Sequence, residues 1–487
     1  MPFDPKNNPL KYLLIFVTAL SLFRICYAAY AGLAPDEAYY WTWSTNLSLH
    51  YPDHPPMIAW LIALGTSIIG ETALGVRISS ILIGALSTLL VYALSREIEL
   101  KKTSAAMAGI LSTLLPATST AAILATPDSF LGICWLLAAI LLVRLSKNAV
   151  PTTWYLLGAV TGVAMYAKHS ALLIPVAALA TIFFCKQTRN SLRTAAPYLA
   201  IILAVLIALP YLYTEAATGF SSLAFQGSHL GGGLRGNHVS ILSTPLRWIE
   251  VLGGQAGLLA VVTAFWSAKF IFEKNSSQTH RSLSIMIITP IAATMVAAIF
   301  THPEQNWAAL GSPIAAIAAI KAISTRASFT RHFVVAVLTA VLFSSIIHAH
   351  TMNPFLPLPP KKDPVLRLHG WEQLPDKLPK NQTTIICDNY GLASQIKWQT
   401  RHQVNRPSVF STDRPTSIPS NINALLLDQE NDFGNHPLGI ECKSTSYLKT
   451  IILTRPNKTT IRSIMVFKGK NCTFKRNHQY AILTEQL

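Results

Sequence analysis

Apolar runs of about 17–23 residues recur along the chain, each followed by a short polar stretch. A run of that length crosses a hydrocarbon core of roughly 30 Å as an α-helix. About eleven such runs stand out, near residues 11–33, 75–96, 104–122, 129–146, 152–167, 169–185, 195–214, 249–272, 283–300, 306–323 and 331–350. Only Lys168-His169 divides the fifth from the sixth. The run from Pro56 to Gly70 is apolar but short, which predicts an interfacial or re-entrant helix. The first run carries no small-residue cleavage site and reads as a retained anchor. After Ala349 the pattern changes. Met352–Pro360 is a proline-rich, extended connector. Beyond it, short β-branched runs alternate with polar stretches at Thr383–Cys387, Ala424–Leu427, Thr450–Leu453 and Ile464–Phe467, and Gly391–Trp398 reads as a helix. The predicted architecture is an all-α polytopic membrane protein over residues 1–350, with polar loops at 34–74 and 214–248 and up to about thirteen spans. A connector at 351–360 and a small α/β domain at 361–487 follow.

Composition agrees. Of 487 residues, 51% are hydrophobic and 13% are charged, against about 25% charged in a soluble protein. The net charge of +17 invites a nucleic-acid reading, but the basic residues fall in short clusters between apolar runs, as topology signals do. With a cytoplasmic N-terminus, the inner loops hold Lys6, Lys101-Lys102, Lys147, Lys186, Arg189, Arg193, Lys274, Arg281, Arg326 and Arg331. The opposite loops hold only Arg77, Lys168, Arg235 and Arg247. That orientation places Asp36-Glu37, Asp53-His54, Thr126-Pro-Asp128, Lys168-His169, Glu215–Trp248 and His302-Pro-Glu304 on the outer face. Polar clusters gathered on one side point to one site, although outer loops need polar residues in any case. No CxxC or Cys/His metal spacing is present. Cys442 and Cys472 would meet oxidising conditions outside, where a disulfide between them is open to either outcome.

The densest chemistry lies in Pro35–Pro56, reading PDEAYYWTWSTNLSLHYPDHPP. Asp36-Glu37 can serve as a general base or metal ligand, or as acids at a helix N-terminus. Asp53-His54 before a double proline can bind a metal or a phosphate, or form a plain rigid turn. Lys168 and Arg77 can snorkel or neutralise a phosphodiester leaving group. The loop Thr214–Trp248 carries Gly231-Gly232-Gly233, His229 and His238, and loops of this length tend to be functional or disordered.

The stretch PDEAYYWTWSTNLSLHYPDHPPMIAWLIALG, followed by GVRISSILIGALSTLLVYAL, resembles bacterial members of the protein-mannosyltransferase and aminoarabinose-transferase superfamily. These are polyprenyl-phosphate-sugar-dependent glycosyltransferases of the GT-C fold. The resemblance continues through ATPDSFLGICWLLAAILLVRL, AKHSALLIPVAAL, HPEQNWAALGSPIAAIAAI and GWEQLP…CDNYGLASQIKW, and so covers most of the chain. It implies that Asp36 is the catalytic acidic residue, with Glu37 its companion. Asp53 and His54 fall where the aminoarabinose transferases usually show Glu-Lys, an acid associated with metal and a base associated with lipid phosphate. Lys168 falls at a phosphate-contacting Lys, and Arg77 joins it as a donor-phosphate candidate. His229 and His238 lie in the loop where relatives place metal or donor-binding histidines. Tyr40, Tyr51, Asn306 and Trp307 are substrate-binding candidates.

The implied activity is an inverting transfer at the outer face of a bacterial inner membrane. The donor is a sugar on a polyprenyl (undecaprenyl) phosphate, and the acceptor is an envelope glycolipid such as lipid A or lipopolysaccharide, or alternatively a protein. The expected partners are this donor, the acceptor and membrane lipid, with no nucleic acid. A divalent metal is a candidate cofactor and a nucleotide is not. A lipid-linked-sugar flippase is the rival from another class. It would predict broken charged helices near the midplane and an internal repeat, whereas the acids here sit in loops.

Overall fold

The computed structural model describes residues 8–230, 241–274, 277–358, 363–379, 384–403, 406–411, 421–429, 440–455 and 460–474. Its helices are α1 (Pro9–Tyr30), α2 (Pro35–Ser44), α3 (Met57–Ile69), α4 (Ala73–Glu97), α5 (Lys102–Leu114), α6 (Pro116–Ala121), α7 (Pro127–Lys147), α8 (Pro151–Ala164), α9 (Leu173–Phe184), α10 (Lys186–Asn190), α11 (Ala196–Ala217), α12 (Ser221–Leu230), α13 (Thr244–Leu258), α14 (Val261–Ile271), α15 (Gln278–Phe300), α16 (Ser312–Ile323) and α17 (Phe329–Met352). The tail adds α18 (Leu374–Lys377), α19 (Tyr390–Gln399) and strands β1 (Thr384–Cys387), β2 (Ser408–Ser411), β3 (Ile422–Asp428), β4 (Ile440–Thr454) and β5 (Thr460–Phe474).

Every apolar run expected to span is helical. Among the described residues, seven helices are long and apolar enough to cross a bilayer alone, and up to nine spans result if two bent pairs each count as one. The remaining apolar runs of the sequence form shorter helices. The run at 104–122 breaks before Pro116, where the proline opens a new helix, so α5 has only 13 residues. The run at 152–167 yields α8, with 14 residues. The short run after Pro56 is the 13-residue α3.

The bundle forms around α7, whose apolar residues point inward on nearly all sides; Trp135 is fully buried and its Nε1 donates to Met286 O at 3.2 Å. Such an all-round apolar helix belongs in the centre of a large core. The α3–α4 corner turns at Gly70, at φ +89°, and closes so tightly that a Cβ on Gly65 would lie 2.2 Å from Gly75 O.

The tail forms a five-stranded sheet in the order β2-β1-β3-β5-β4, parallel between β1 and its two neighbours and antiparallel thereafter. Ile385, Cys387, Leu425, Leu427, Ile464 and Val466 bury one face under Leu392 and Ile396 of α19. Cys442 and Cys472 face each other across β4 and β5 and form a disulfide. The segment that leads into the sheet is tied back to α17 at two points. His350 Nε2 lies 3.1 Å from Asp363 Oδ2, and His369 Nε2 lies 2.7 Å from Thr351 O. At its other side α19 lies against α2, the helix that carries Asp36-Glu37. Trp398 meets Trp41 edge to face at 5.0 Å, and Gln395 Nε2 donates to Leu33 O at 2.8 Å.

Candidate active site

Pro35 starts α2 because its fixed φ suits a first helical position. Asp36 and Glu37 follow in the first turn, and the helix sends them to different places. Glu37 is 1% exposed. Its Oε2 accepts from Ala34 N at 2.9 Å and its Oε1 from Ala125 N at 3.0 Å, and Arg77 reaches both oxygens, Nε at 2.7 Å and Nη2 at 2.5 Å. The remaining Arg77 donors go to the carbonyls of Ala28, Ala31 and Gly32. All five guanidinium N–H groups are thus engaged. This corrects two expectations. All four acceptor positions of the Glu37 carboxylate are taken, and Arg77 has no donor left for a phosphate. Together they brace the end of α1, the start of α2 and the segment before α7.

Asp36 stays at the surface of this brace, half-buried, and its Oδ1 accepts from the hydroxyl of Tyr390 at 2.7 Å. The residue preceding α2 is Ala34, and Glu37 reaches back to its N–H, so the expected capping alternative belongs to Glu37. One turn on, Tyr40 is buried, with its ring 5.9 Å from that of His54. Burial first, and then the neighbouring Asp36, Tyr390, Asp53 and Asp128, hold its phenol well above the ordinary tyrosine range. Tyr40 therefore remains a neutral phenol near three carboxylates, Asp36 on its own helix, Asp53 in the loop that follows and Asp128 at the start of α7.

Those loops are joined by bonds. Asp53 is buried, its carbonyl accepts from Gln226 Nε2 at 2.8 Å, and the same Nε2 lies 3.5 Å from His54 Nδ1. Lys168 Nζ donates to both oxygens of Asp128, at 2.8 and 2.9 Å. His50 bridges Glu215 (Nδ1 to Oε1, 3.0 Å) and Ser221 (Nε2 to Oγ, 3.1 Å). His169 Nε2 meets the hydroxyl of Tyr211 at 2.9 Å. The clusters at 36–37, 53–54, 126–128, 168–169 and 215–226 therefore converge at one end of the bundle.

Other candidates have structural employment. Tyr51 is buried and stacks on Trp43 at 4.7 Å, and its hydroxyl bonds to Trp43 O, Asn46 O and Ser48 N. It clamps the turn. Asn306 and Trp307 lie on a 3-10 helix, Gln305–Gly311, which is bonded to α13 through Gln305 and Glu250. Among the described residues no hydrogen bond links them to the Asp36 group. His238 lies outside the described residues, and of His229 only its backbone, within α12, is described. Among the described residues no group of three or more His, Cys, Asp or Glu converges to hold a metal ion.

Gln226 and Tyr390 were not singled out in the sequence, and Glu215 entered only as the start of a polar loop. Glu215 had a signal, an acid at the end of an apolar span. Tyr390 had none, because only the docking of α19 brings it to α2.

Residues 53–213 match the family model for dolichyl-phosphate-mannose-protein mannosyltransferase. The lipid A galacturonosyltransferase RgtD of Rhizobium johnstonii is 22% identical over 311 residues, which cover 61% of this chain and 62% of that protein. The undecaprenyl phosphate-alpha-4-amino-4-deoxy-L-arabinose arabinosyl transferase of Pseudomonas paraeruginosa is 32% identical over 220 residues, 40% of this chain and 39% of the relative. The chain thus spans less than two thirds of the curated relatives' lengths. The crystal structure of ArnT from Cupriavidus metallidurans bound to undecaprenyl phosphate matches with a TM-score of 0.59 at 14% identity, over 93% of this chain and 97% of that one. The expected kinship with polyprenyl-phosphate-sugar GT-C glycosyltransferases holds in sequence and in fold.

Proposed function

We propose that this membrane protein, a relative of the polyprenyl-phosphate-sugar GT-C glycosyltransferases, transfers a sugar from polyprenyl phosphate to an envelope glycolipid of the lipid A type. The reaction takes place at the outer face of the inner membrane. One observation carries the reading. Asp36 is a half-buried carboxylate held by one neutral donor, beside Tyr40, at the point where five polar segments converge. A carboxylate so placed can accept a proton from an acceptor hydroxyl. The acceptor oxygen then attacks the anomeric carbon, the bond from that carbon to the phosphate oxygen breaks, and polyprenyl phosphate leaves with the bonding electrons. A single displacement inverts the anomeric centre. Lys168 has three N–H donors and spends two on Asp128. The third N–H, together with the imidazole of His54 beside Tyr40, would steady the leaving phosphate. The name of the galacturonosyltransferase favours a lipid A acceptor and that of the arabinosyl transferase an undecaprenyl phosphate sugar as donor, whereas the matching family model favours a protein acceptor as the second reading.

The test is Asp36→Asn in the purified protein, with undecaprenyl-phosphate sugar and lipid A as substrates. The variant should fold and bind donor, while transfer falls by about 10²–10⁴-fold. Unimpaired transfer by the folded variant sinks the assignment. Transfer to a secreted protein in place of lipid A selects the second reading.

A further inference from the structure

The tail sheet is more than an appendage to the bundle, because it delivers one hydroxyl to the carboxylate on which the proposed reaction depends. The delivery is rigid. Asp388 follows β1 and is anchored to the sheet through its own N–H, which donates to Leu427 O at 3.0 Å, and through its Oδ2, which accepts from Gln429 N at 2.7 Å. Asn389 bonds to Asp388 Oδ1 at 2.8 Å and caps α19 by accepting from Leu392 N at 2.8 Å. Tyr390 is the first residue of the capped helix, so the sheet and cap together fix its direction. Its ring lies 4.7 Å from that of Tyr39, and the next residue, Gly391, sits so close to α2 that a Cβ there would be 3.2 Å from Pro35 Cβ. A neighbour on α2, Asp36, receives the hydroxyl.

We propose that Tyr390 is a positioning residue for sugar transfer: its hydroxyl pins Asp36 Oδ1 and leaves Oδ2 to meet the acceptor. The proposal rests on the reading of Asp36 as the base. A carboxylate near a helix N-terminus would otherwise turn about its χ angles, and a base must lie within hydrogen-bond reach of the proton it removes. The phenol is a suitable pin because it is neutral. It donates one hydrogen bond without placing a cation against the base, as the guanidinium of Arg77 does for Glu37.

Tyr390→Phe tests it, since the ring and its packing against Tyr39 are retained and only the hydroxyl is lost. Loss of a hydrogen bond to a charged group predicts a fall in kcat of about 10- to 100-fold. The donor KM should stay within about two-fold, as expected for an interaction that acts on the reaction and not on donor binding. A purely structural Tyr390 would instead give wild-type kcat, or a raised KM together with easier proteolysis of the tail. Either result overturns the proposal. Kinetics are read at a temperature where the variant's proteolysis pattern matches the wild type, which separates lost positioning from lost docking. Asp36→Asn run in parallel distinguishes the two readings. Loss in Asp36→Asn with full kcat in Tyr390→Phe overturns only the positioning role. Full kcat in both overturns the base assignment and this inference with it.

Discussion

Glu37 and Asp36 are adjacent and chemically alike, yet successive residues on a helix point about 100° apart. That rotation turns one carboxylate into the bundle against Arg77 and leaves the other at the surface. It predicts opposite mutational signatures. Glu37→Gln removes the partner of a buried guanidinium, and breaking a buried ion pair in this way is expected to destabilise by about 3–5 kcal/mol. Thermal unfolding in detergent should show a large fall in midpoint, with activity lost in proportion to folded protein. Asp36→Asn should leave the midpoint nearly unchanged while abolishing turnover. Equal midpoints for the two variants would contradict the division of labour. The motif itself was legible, because two acids among aromatic residues stand out in an apolar chain. Which acid faced outward was not legible, since that depends on where α2 begins and on the arrival of Arg77 and Ala125 from elsewhere in the chain.

Elements were more legible than contacts. Long apolar periodicity located the helices, and β-branched runs located the hearts of β1, β3, β4 and β5. The short β2 was missed because four residues, Ser408–Ser411, hold no alternation long enough to read. The extent of β4 was missed because Glu441–Thr450 is exposed on both faces or nearly so, and a strand without a buried face loses its period of two. The predicted helix Gly391–Trp398 falls inside the observed Tyr390–Gln399, but nothing local could announce that it would lie on α2. The close approach of α3 and α4 is equally a matter of packing. Gly75→Val should wedge the pair apart, because a Cβ at that position would sit 2.1 Å from Gly70 O. An overpacking cost of about 1–3 kcal/mol is expected. The displaced α3 should also disturb Asp53-His54 at its head, so donor KM is predicted to rise along with the loss of stability. A change in stability with unaltered donor KM would show that this corner is scaffold alone.

At the scale of the whole molecule, the contacts of α19 with α2 require the first polar loop and the tail sheet to lie on one side of the membrane. Arg401 adds a bond from the tail to Glu71 O at 3.0 Å. Membrane-impermeant thiol labelling should therefore reach exposed cysteines placed at Thr45 and His402 from the same side, and at Lys101 and Arg189 from the other. Labelling of Thr45→Cys and Lys101→Cys from one side would contradict the alternation of loops read from the basic residues. The same contacts also impose an order in time. Asp36 and Tyr390 are 354 residues apart in sequence, and a chain grows at roughly 5–20 residues per second. Once made, α2 waits about 20–70 s before the donor of that hydrogen bond is synthesised. Throughout that interval the aromatic side of α2, including Trp41 and Tyr39, has no cover from the tail. On the proposed roles of Asp36 and Tyr390, a chain that stops short of residue 390 carries its base without the tether, so synthesis of the tail becomes the step that arms the site.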